Sequence, residues 1–455
     1  MRVRKLLVLI ATAAALAAAA SPSQASTRQF TLFEAPRELL SNDEALRAQT
    51  LDQLQGMGVK WLRIVLWWRA VAPSSGSSTP PRGFNDSGQA GYLWGPYDAA
   101  ISDARARGMK LLVTISGPVP KWASGNHKSY TYKPNATRFQ HFVTAVGNRY
   151  RGQVSMWSIW NEPNHPGFLS PQFAGRKGHR YPYSPKLYRS LFMAGDRGLR
   201  ASGNGSEPLL MGETEPRGTG KDVAPLRFLR GVLAARGKLP ADGYAHHAYT
   251  TGSGPSFVPH NPDDVTIGVL SRLTRTLDHY AHLHRIRSHM PVYLTEFGIQ
   301  SYPDPFIGVS YQRQAEYRSM AELIAYRNPR VASFSQYLMR DDSPRPGSAY
   351  ARYSGFQSGL RNSNGTVKLS YAAFRLPLVA DARGKRVYLW GYVRPATGRT
   401  TVLVQIRKRG AKSFQNLKHV TTNSSGYWTS ATALRSGAQY RVLWGAYTGP
   451  PTRAY

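Results

Sequence analysis

The sequence has no cysteine and few acidic residues. Without cysteine the chain can form neither a disulfide nor a thiolate metal site, so a buried core must stabilise it. Only 25 aspartates and glutamates stand against 59 lysines and arginines, which gives a formal net charge of +34. After the first twenty residues no apolar run reaches the roughly 18 residues that a membrane span needs. The sequence therefore predicts no membrane-spanning segment in the mature chain.

The first residues are typical of an export signal. Cations near the start precede an apolar stretch over residues 6–20, and small residues at Ser23–Ala25 suit a cleavage site. We therefore predict a secretory signal peptide over residues 1–25 and a secreted, extracellular mature protein.

The excess of positive charge predicts attraction to polyanions, such as acidic wall polymers, acidic polysaccharides or extracellular DNA. Net charge governs non-specific binding and not the fold, so a merely solvated basic surface is an equal interpretation. A specific nucleic-acid binder is disfavoured, because the sequence carries no basic motif with interleaved aromatic residues.

Two stretches share one design, in which a buried strand ends in a glutamate. Asn161 and Glu162 follow the apolar run over residues 154–160, and Glu296 follows a second run over residues 292–294. A turn capped by a solvated glutamate is the alternative for the first stretch taken alone. A pair of carboxyl groups is what hydrolysis of a glycosidic bond needs, since one must donate a proton and the other must be ionised.

Eight strand-like runs alternate with helical runs over residues 26–378. Such alternation predicts a (β/α)₈ barrel of the α/β class. We expect strands at 29–34, 59–68, 109–116, 154–160, 208–215, 241–249, 291–296 and 331–339, and helices at 43–55, 97–107, 135–150, 183–201, 223–236, 263–284 and 311–328.

The pattern changes over residues 379–455, where short alternating strands are separated by Gly, Asn and Ser turns. Strands are expected at 387–393, 401–407, 416–422, 426–434 and 440–447, which predicts a small β-sandwich. From Arg383 onward the chain has 13 lysines and arginines and no acidic residue. This region either tethers the protein to an anionic wall or matrix polymer or is a structural appendage of the barrel.

The two glutamate stretches also carry a family resemblance. W-x-x-W-N-E-P-N at 157–164, followed by L-T-E-F-G at 294–298, resembles the clan A glycoside hydrolases, with families 5 and 39 nearest. The resemblance covers roughly residues 29–376. It implies a barrel in which Glu162 is the acid/base after strand 4 and Glu296 is the nucleophile after strand 7, with no cofactor.

The resemblance also implies roles for four polar residues. Asn161 would hold the sugar 2-hydroxyl, and Arg63 on strand 2 would sit beside the nucleophile. Tyr249 would hydrogen-bond the nucleophile, and His247 would contact the substrate or the acid/base. An arginine reaching the lower rim of the barrel is the alternative for Arg63.

Three aromatic residues are candidates for a sugar-stacking surface. Trp122 lies in a loop similar to one in several clan A families, Trp94 lies in a long loop, and Tyr337 stands where clan A enzymes usually have a tryptophan. Each of the two tryptophans could instead anchor its loop. Ser116 and Gly117 replace a histidine that is usual in family 5.

Two further carboxylates compete weakly for a catalytic role, because Glu213 and Glu215 end strand 5 without a preceding amide. The pair His246 and His247 suggests a metal, but no third ligand is evident nearby, so we expect none.

The prediction is thus a secreted retaining glycoside hydrolase that cleaves a polysaccharide. The alternative is a non-catalytic polysaccharide-binding protein on a degenerate barrel, which the departures on strands 3 and 8 motivate. The sequence does not identify the polysaccharide.

Overall fold

The computed structural model describes residues 29–250 and 252–455. The predicted signal peptide over residues 1–25 lies outside the described residues. None of the described helices combines the length and the apolar character that crossing a bilayer requires.

Eight parallel strands close into a barrel, as the sequence predicts. Their order around the barrel is β1-β8-β7-β6-β5-β4-β3-β2. The strands are β1 Phe30–Glu34, β2 Trp61–Trp67, β3 Lys110–Ser116, β4 Met156–Ile159, β5 Leu209–Thr214, β6 Gly243–His247, β7 Val292–Glu296 and β8 Val331–Tyr337.

The main helices alternate with these strands. They are α1 Glu44–Gly56, α2 Gly95–Ala106, α3 Ala136–Arg149, α4 Ser184–Ala201, α5 Pro225–Leu233, α6 Leu270–His282, α7 Tyr311–Arg327 and α8 Leu369–Arg375. The expected start of α6 at residue 263 is wrong. Asp264 instead accepts hydrogen bonds from the backbone N–H of Gly218 and the amide of Asn261, which fixes this segment as a loop.

The lower interior of the barrel is filled by apolar side chains, and its upper interior is polar. Alternate residues of a strand face the same side. One buried cluster contains Leu32 of β1, Leu112 of β3 and Met156 of β4, with Trp61 of β2 packed against it. Arg63 lies two residues beyond Trp61, so its side chain also enters the barrel, one layer nearer the carboxyl ends of the strands.

The C-terminal region forms two antiparallel sheets. Its strands are β9 Leu378–Arg383, β10 Arg386–Tyr392, β11 Thr401–Arg407, β12 Gln415–Thr421, β13 Tyr427–Ala433 and β14 Gln439–Trp444. One sheet has the order β9-β10-β13, and the other contains β12, β11 and β14. The predicted β-sandwich is confirmed, although β9 was not expected from the sequence. The proposed division of domains at residue 378 stays a prediction.

Arg394 joins the sandwich to the barrel. Its guanidinium is buried and ion-paired with Glu322 of α7, which Arg318 also contacts at 2.8 Å. The same guanidinium donates to the carbonyl of Phe374 at 2.7 Å and to Thr31 of β1 at 2.9 Å. A charge at this depth is stable only because it is paired and hydrogen-bonded.

We predict that Arg394→Met destabilises the whole chain. Removing one partner of a buried ion pair costs about 3 kcal/mol or more, since the remaining groups lose their compensation. Thermal unfolding of the full chain should therefore shift to lower temperature, whereas the exposed Arg399→Ala should melt with the wild type. Equal melting temperatures for Arg394→Met and wild type would contradict the role of this contact.

Candidate active site

The structure brings the two predicted glutamates together at the carboxyl ends of the strands. Glu162 follows β4, Glu296 ends β7, and His247 ends β6 between them. Ligand atoms from Glu162, His247 and Glu296 all lie within 4.8 Å of one another. His247 Nδ1 is 2.8 Å from Glu162 Oε1 and 3.7 Å from Glu296 Oε2. The two carboxyl groups therefore face a common space.

Arg63 lies below this pair at the centre of a polar network. Its Nη1 donates to Glu296 at 2.5 Å and also to Glu34 of β1. Its Nη2 donates to Asn161 and to Glu213, both at 2.6 Å. The side chain is fully buried, so the alternative position at the lower rim is wrong.

The pKa of Glu296 is lowered despite its burial. Burial alone would raise the pKa, but the charges of His247 and Arg63 and hydrogen bonds from Arg63 and Tyr249 outweigh it. Tyr249 donates its hydroxyl to Glu296 Oε2 at 3.0 Å. Glu296 is thus held ionised, which is the state that a nucleophile requires.

The pKa of His247 is raised. Burial alone would lower it, but the carboxylates of Glu296 and Glu162 favour the imidazolium. His247 and Tyr249 both reach the site, while His246 bonds instead to Thr214 and to the carbonyl of Val265. The two histidines therefore do not form a joint metal site.

The backbone around Glu162 has an unusual conformation. Trp160, Glu162 and Glu213 all have positive φ angles, of 72°, 40° and 47°. Such left-handed conformations are strained for residues with a Cβ and tend to cluster at functional sites. A Cβ on Gly117 would overlap the ring of Trp160, which explains why glycine follows β3 here.

The predictions for Trp122 and Trp94 as stacking surfaces are wrong. Trp122 is 1% exposed and Trp94 is 5% exposed. The Trp122 ring packs edge-on against Trp68, and its Nε1 donates to the carbonyl of Pro73. The Trp94 ring packs against Phe142. Both side chains anchor their loops and offer no face to a sugar.

Tyr337 does lie at the site. Its ring is 6.5 Å from that of Tyr249 and 5.1 Å from that of Phe356. Burial raises the pKa of Tyr337, and the negative charge of Glu296 raises it further. Phe356, which was not expected at the site, also packs 6.0 Å from Tyr249 and is 40% exposed.

Sequence reasoning missed Glu34 and undervalued Glu213. Glu34 ends β1 and is paired in register with Tyr337 of β8. Its pKa is raised to about 8, because burial and the charge of Glu296 outweigh the attraction of Arg63. Glu213 is fully buried and accepts from Thr114 at 2.7 Å. A strand ending in glutamate, the pattern of β4 and β7, was the available signal for Glu34.

Glu215 lies close enough to Glu162 to be influenced by its charge. Burial raises the pKa of Glu215 to about 10, with further increases from Glu162, Asp222 and Asp264. A protonated Glu215 adds no negative charge beside Glu162.

The donor set of Glu162, His247 and Glu296 is compact enough to hold a metal ion. The same geometry equally suits a pair of carboxylates with a histidine between them, so the expectation of no metal stays a prediction.

Known structures share this fold. No protein-family model matches the chain, and no curated protein matches its sequence. A monomeric beta-xylosidase from Caulobacter crescentus CB15 aligns with a TM-score of 0.53 and 16% identity, over 92% of this chain and 96% of that one. A glucosidase from Croceicoccus marinus aligns with a TM-score of 0.52 and 12% identity, over 92% and 95% of the two chains.

At these identities the likeness shows the fold. It confirms the predicted closed eight-stranded barrel, and the two solved structures that share it are named as a xylosidase and a glucosidase.

We predict that Glu34→Gln stabilises the protein at alkaline pH. A carboxyl whose folded pKa is about 8 against a reference of 4.5 contributes its full stability below pH 4.5 and loses it as the pH rises through 8. Glutamine keeps an acceptor for Arg63 but never ionises. The free energy of unfolding at pH 9 should therefore rise by up to about 5 kcal/mol relative to wild type.

The control is the same pair of proteins at pH 4, where both should unfold alike. A stability difference that does not change between pH 4 and pH 9 would show that Glu34 does not titrate in this range.

Proposed function

We propose that the protein is a secreted retaining glycoside hydrolase that cleaves a polysaccharide. The observation that carries this proposal is the approach of Glu162 and Glu296, whose nearest ligand atoms lie within 4.8 Å. Retaining glycosidases place their two carboxyl groups about 5–5.5 Å apart, whereas inverting enzymes leave about 6.5–9.5 Å for a water molecule. The glycosidase names of the two aligned structures support the same class.

In the first step Glu162, as a carboxylic acid, donates its proton to the glycosidic oxygen. The carboxylate of Glu296 attacks the anomeric carbon, the bond to the leaving sugar breaks, and a glycosyl ester forms on Glu296. Arg63 and Tyr249 keep Glu296 ionised and oriented for this attack. Asn161 accepts from Arg63 through its side-chain oxygen, and we assign its NH₂ group to the sugar 2-hydroxyl.

In the second step Glu162 acts as a base. It accepts a proton from water, the water oxygen attacks the anomeric carbon, and Glu296 leaves as a carboxylate. The two attacks occur on opposite faces of the sugar carbon, so the configuration is retained. His247 contacts both carboxyl groups and stabilises whichever one is ionised.

Export through residues 1–25 is part of the proposal and rests on the sequence alone.

We also propose that the sandwich helps to retain the enzyme on an anionic polymer. Arg394 is used for packing on the barrel, but Lys408, Arg409 and Lys412 remain exposed on the sandwich.

Substitution of each carboxylate separates the two roles. Glu296→Gln should fold normally and lose hydrolysis of every substrate by several orders of magnitude, because no nucleophile remains. Glu162→Gln should lose about 10²–10⁴-fold on polysaccharide. It should lose far less in the first step on an aryl glycoside with an acidic phenol, whose departure needs no proton.

The measurements are initial rates on a polysaccharide panel and on aryl glycosides, with the anomer first released followed by NMR. The exposed Glu44→Gln is the matched control and should behave as wild type. Wild-type turnover by Glu296→Gln, or inversion at the anomeric carbon, would refute the mechanism. An inert wild type that still binds polysaccharide would favour the non-catalytic alternative.

The retention on anionic polymer is tested separately. Replacing Lys408, Arg409 and Lys412 by alanine should weaken retention on a polyuronate gel at low salt, and added salt should abolish the difference. The same number of changes on the barrel, at Lys60, Arg105 and Arg275, should have little effect. If the two triple variants lost retention equally, net charge alone would explain the effect and the proposed role of the sandwich would be wrong.

A further inference from the structure

Three exposed aromatic side chains lie on the loops that follow β7 and β8, the loops above the candidate active site. Phe356 packs against Tyr249 and Tyr337 and is 40% exposed. Tyr350 of the same loop is 75% exposed, and its ring lies 5.8 Å from the ring of Phe306, which is 56% exposed, in an edge-on arrangement. We name Phe306, Tyr350 and Phe356 the aromatic rim. Phe356 joins the rim to the site, since its ring packs against Tyr249, which bonds Glu296, and Tyr350 precedes Phe356 in the same loop.

Two loops hold these side chains in place. In the loop after β8, the backbone N–H of Asp342 donates to the carbonyl of Phe356 at 2.8 Å, and the backbone N–H of Phe356 donates to the Asp342 carboxylate at 2.6 Å. Asp342 is also ion-paired with Arg37. In the loop after β7, Asp304 accepts from the backbone N–H of Phe306 at 2.8 Å. The exposed rings therefore stand on loops that have their own hydrogen bonds.

The loop after β8 also carries unpaired positive charge. Arg345 and Arg352 are both exposed, and the backbone N–H of Arg345 donates to the carbonyl of Arg352, which brings the two residues together. Among the described residues neither makes an ion pair. The acids of this loop are already used, since Asp341 pairs with Lys368 and Asp342 pairs with Arg37.

Deep in the site, by contrast, the positive charge of Arg63 is already paired. A guanidinium offers five N–H groups, and in Arg63 all five are directed at protein acceptors. Nε donates to Thr114, Nη1 to Glu34 and Glu296, and Nη2 to Asn161 and Glu213. Arg63 has no donor left for a substrate carboxylate. Recognition of an acidic sugar is thus available at the rim and not at the floor of the pocket.

We propose that the aromatic rim, with Arg345 and Arg352, binds a carboxylate-bearing segment of a polysaccharide that extends out of the cleft. The sugar faces stack on the rings, and the uronate groups pair with the two arginines. The inference rests on the proposed function, because it takes the cleft at Glu162 and Glu296 as the place where that chain is cleaved. It names the substrate class as an acidic polysaccharide.

The test uses the full chain with Glu296→Gln as a common background. Binding of an oligogalacturonate of about ten sugars and of a neutral glucan oligomer of equal length is measured by calorimetry at low and high salt. Arg345→Ala/Arg352→Ala should weaken oligogalacturonate binding roughly tenfold at low salt and leave glucan binding unchanged. Phe306→Ala/Tyr350→Ala should weaken it roughly fivefold or more at both salt concentrations.

Matched controls are Arg105→Ala/Arg275→Ala for charge and the exposed Tyr388→Ala for an aromatic ring. Both should bind as the background does. The proposal is overturned if the rim variants also bind as the background does, or if the charge control loses as much affinity as Arg345→Ala/Arg352→Ala.

Hydrolysis by the rim variants with an intact Glu296 distinguishes the proposed hydrolytic function from the proposed binding at the rim. Turnover of a small aryl glycoside should be unchanged, while kcat/KM on an acidic polysaccharide should fall about as much as the affinity. A wild type without any hydrolysis refutes the proposed function, and the binding data then still decide whether the rim takes an acidic chain.

Discussion

The buried guanidinium of Arg63 is the constraint on which the whole site depends. It contacts side chains from β1, β3, β5 and β7 and from the loop after β4, so five elements of the barrel converge on one cation. Five fixed donors in one plane leave little freedom in where those side chains can lie. Arg63 therefore fixes Glu296 and Asn161, the residue before Glu162, and His247 contacts both Glu162 and Glu296 from β6.

That arrangement is electrostatically unbalanced. Three carboxyl groups share one guanidinium, and burial makes an unpaired negative charge costly. The imbalance is relieved in two ways: the pKa of Glu34 rises to about 8, and His247 becomes easier to protonate. Glu296 keeps its charge because it is the carboxylate that both cations and Tyr249 contact. The environment thus favours a neutral Glu34 beside an ionised Glu296, which lessens the repulsion that the charge of Glu296 would otherwise meet.

The barrel and the two facing glutamates were predictable, because both depend on local periodicity. The apolar residues before Glu162 and Glu296 indicate two buried strands, and closure of the parallel barrel then brings the carboxyl ends of these strands together. The burial of Trp122 and Trp94 was not predictable, since it depends on packing against Trp68 and Phe142 from elsewhere in the chain. Glu34 was missed for a different reason. A strand that ends in glutamate was the one signal in the sequence, but the contacts that define its role, with Arg63 on β2 and Glu296 on β7, are not visible in any short motif.

The distribution of charge explains why a basic protein can have an acidic pocket. A formal net charge of +34 attracts polyanions to the surface, while the carboxyl groups around Arg63 disfavour an anionic group at the floor of the cleft. An acidic chain that follows this field would meet the arginines of the loop after β8 first and would then place a sugar without a charge over Glu296. Under the proposed function, specificity is therefore divided between basic groups at the rim and a floor whose arginine has no donor to spare.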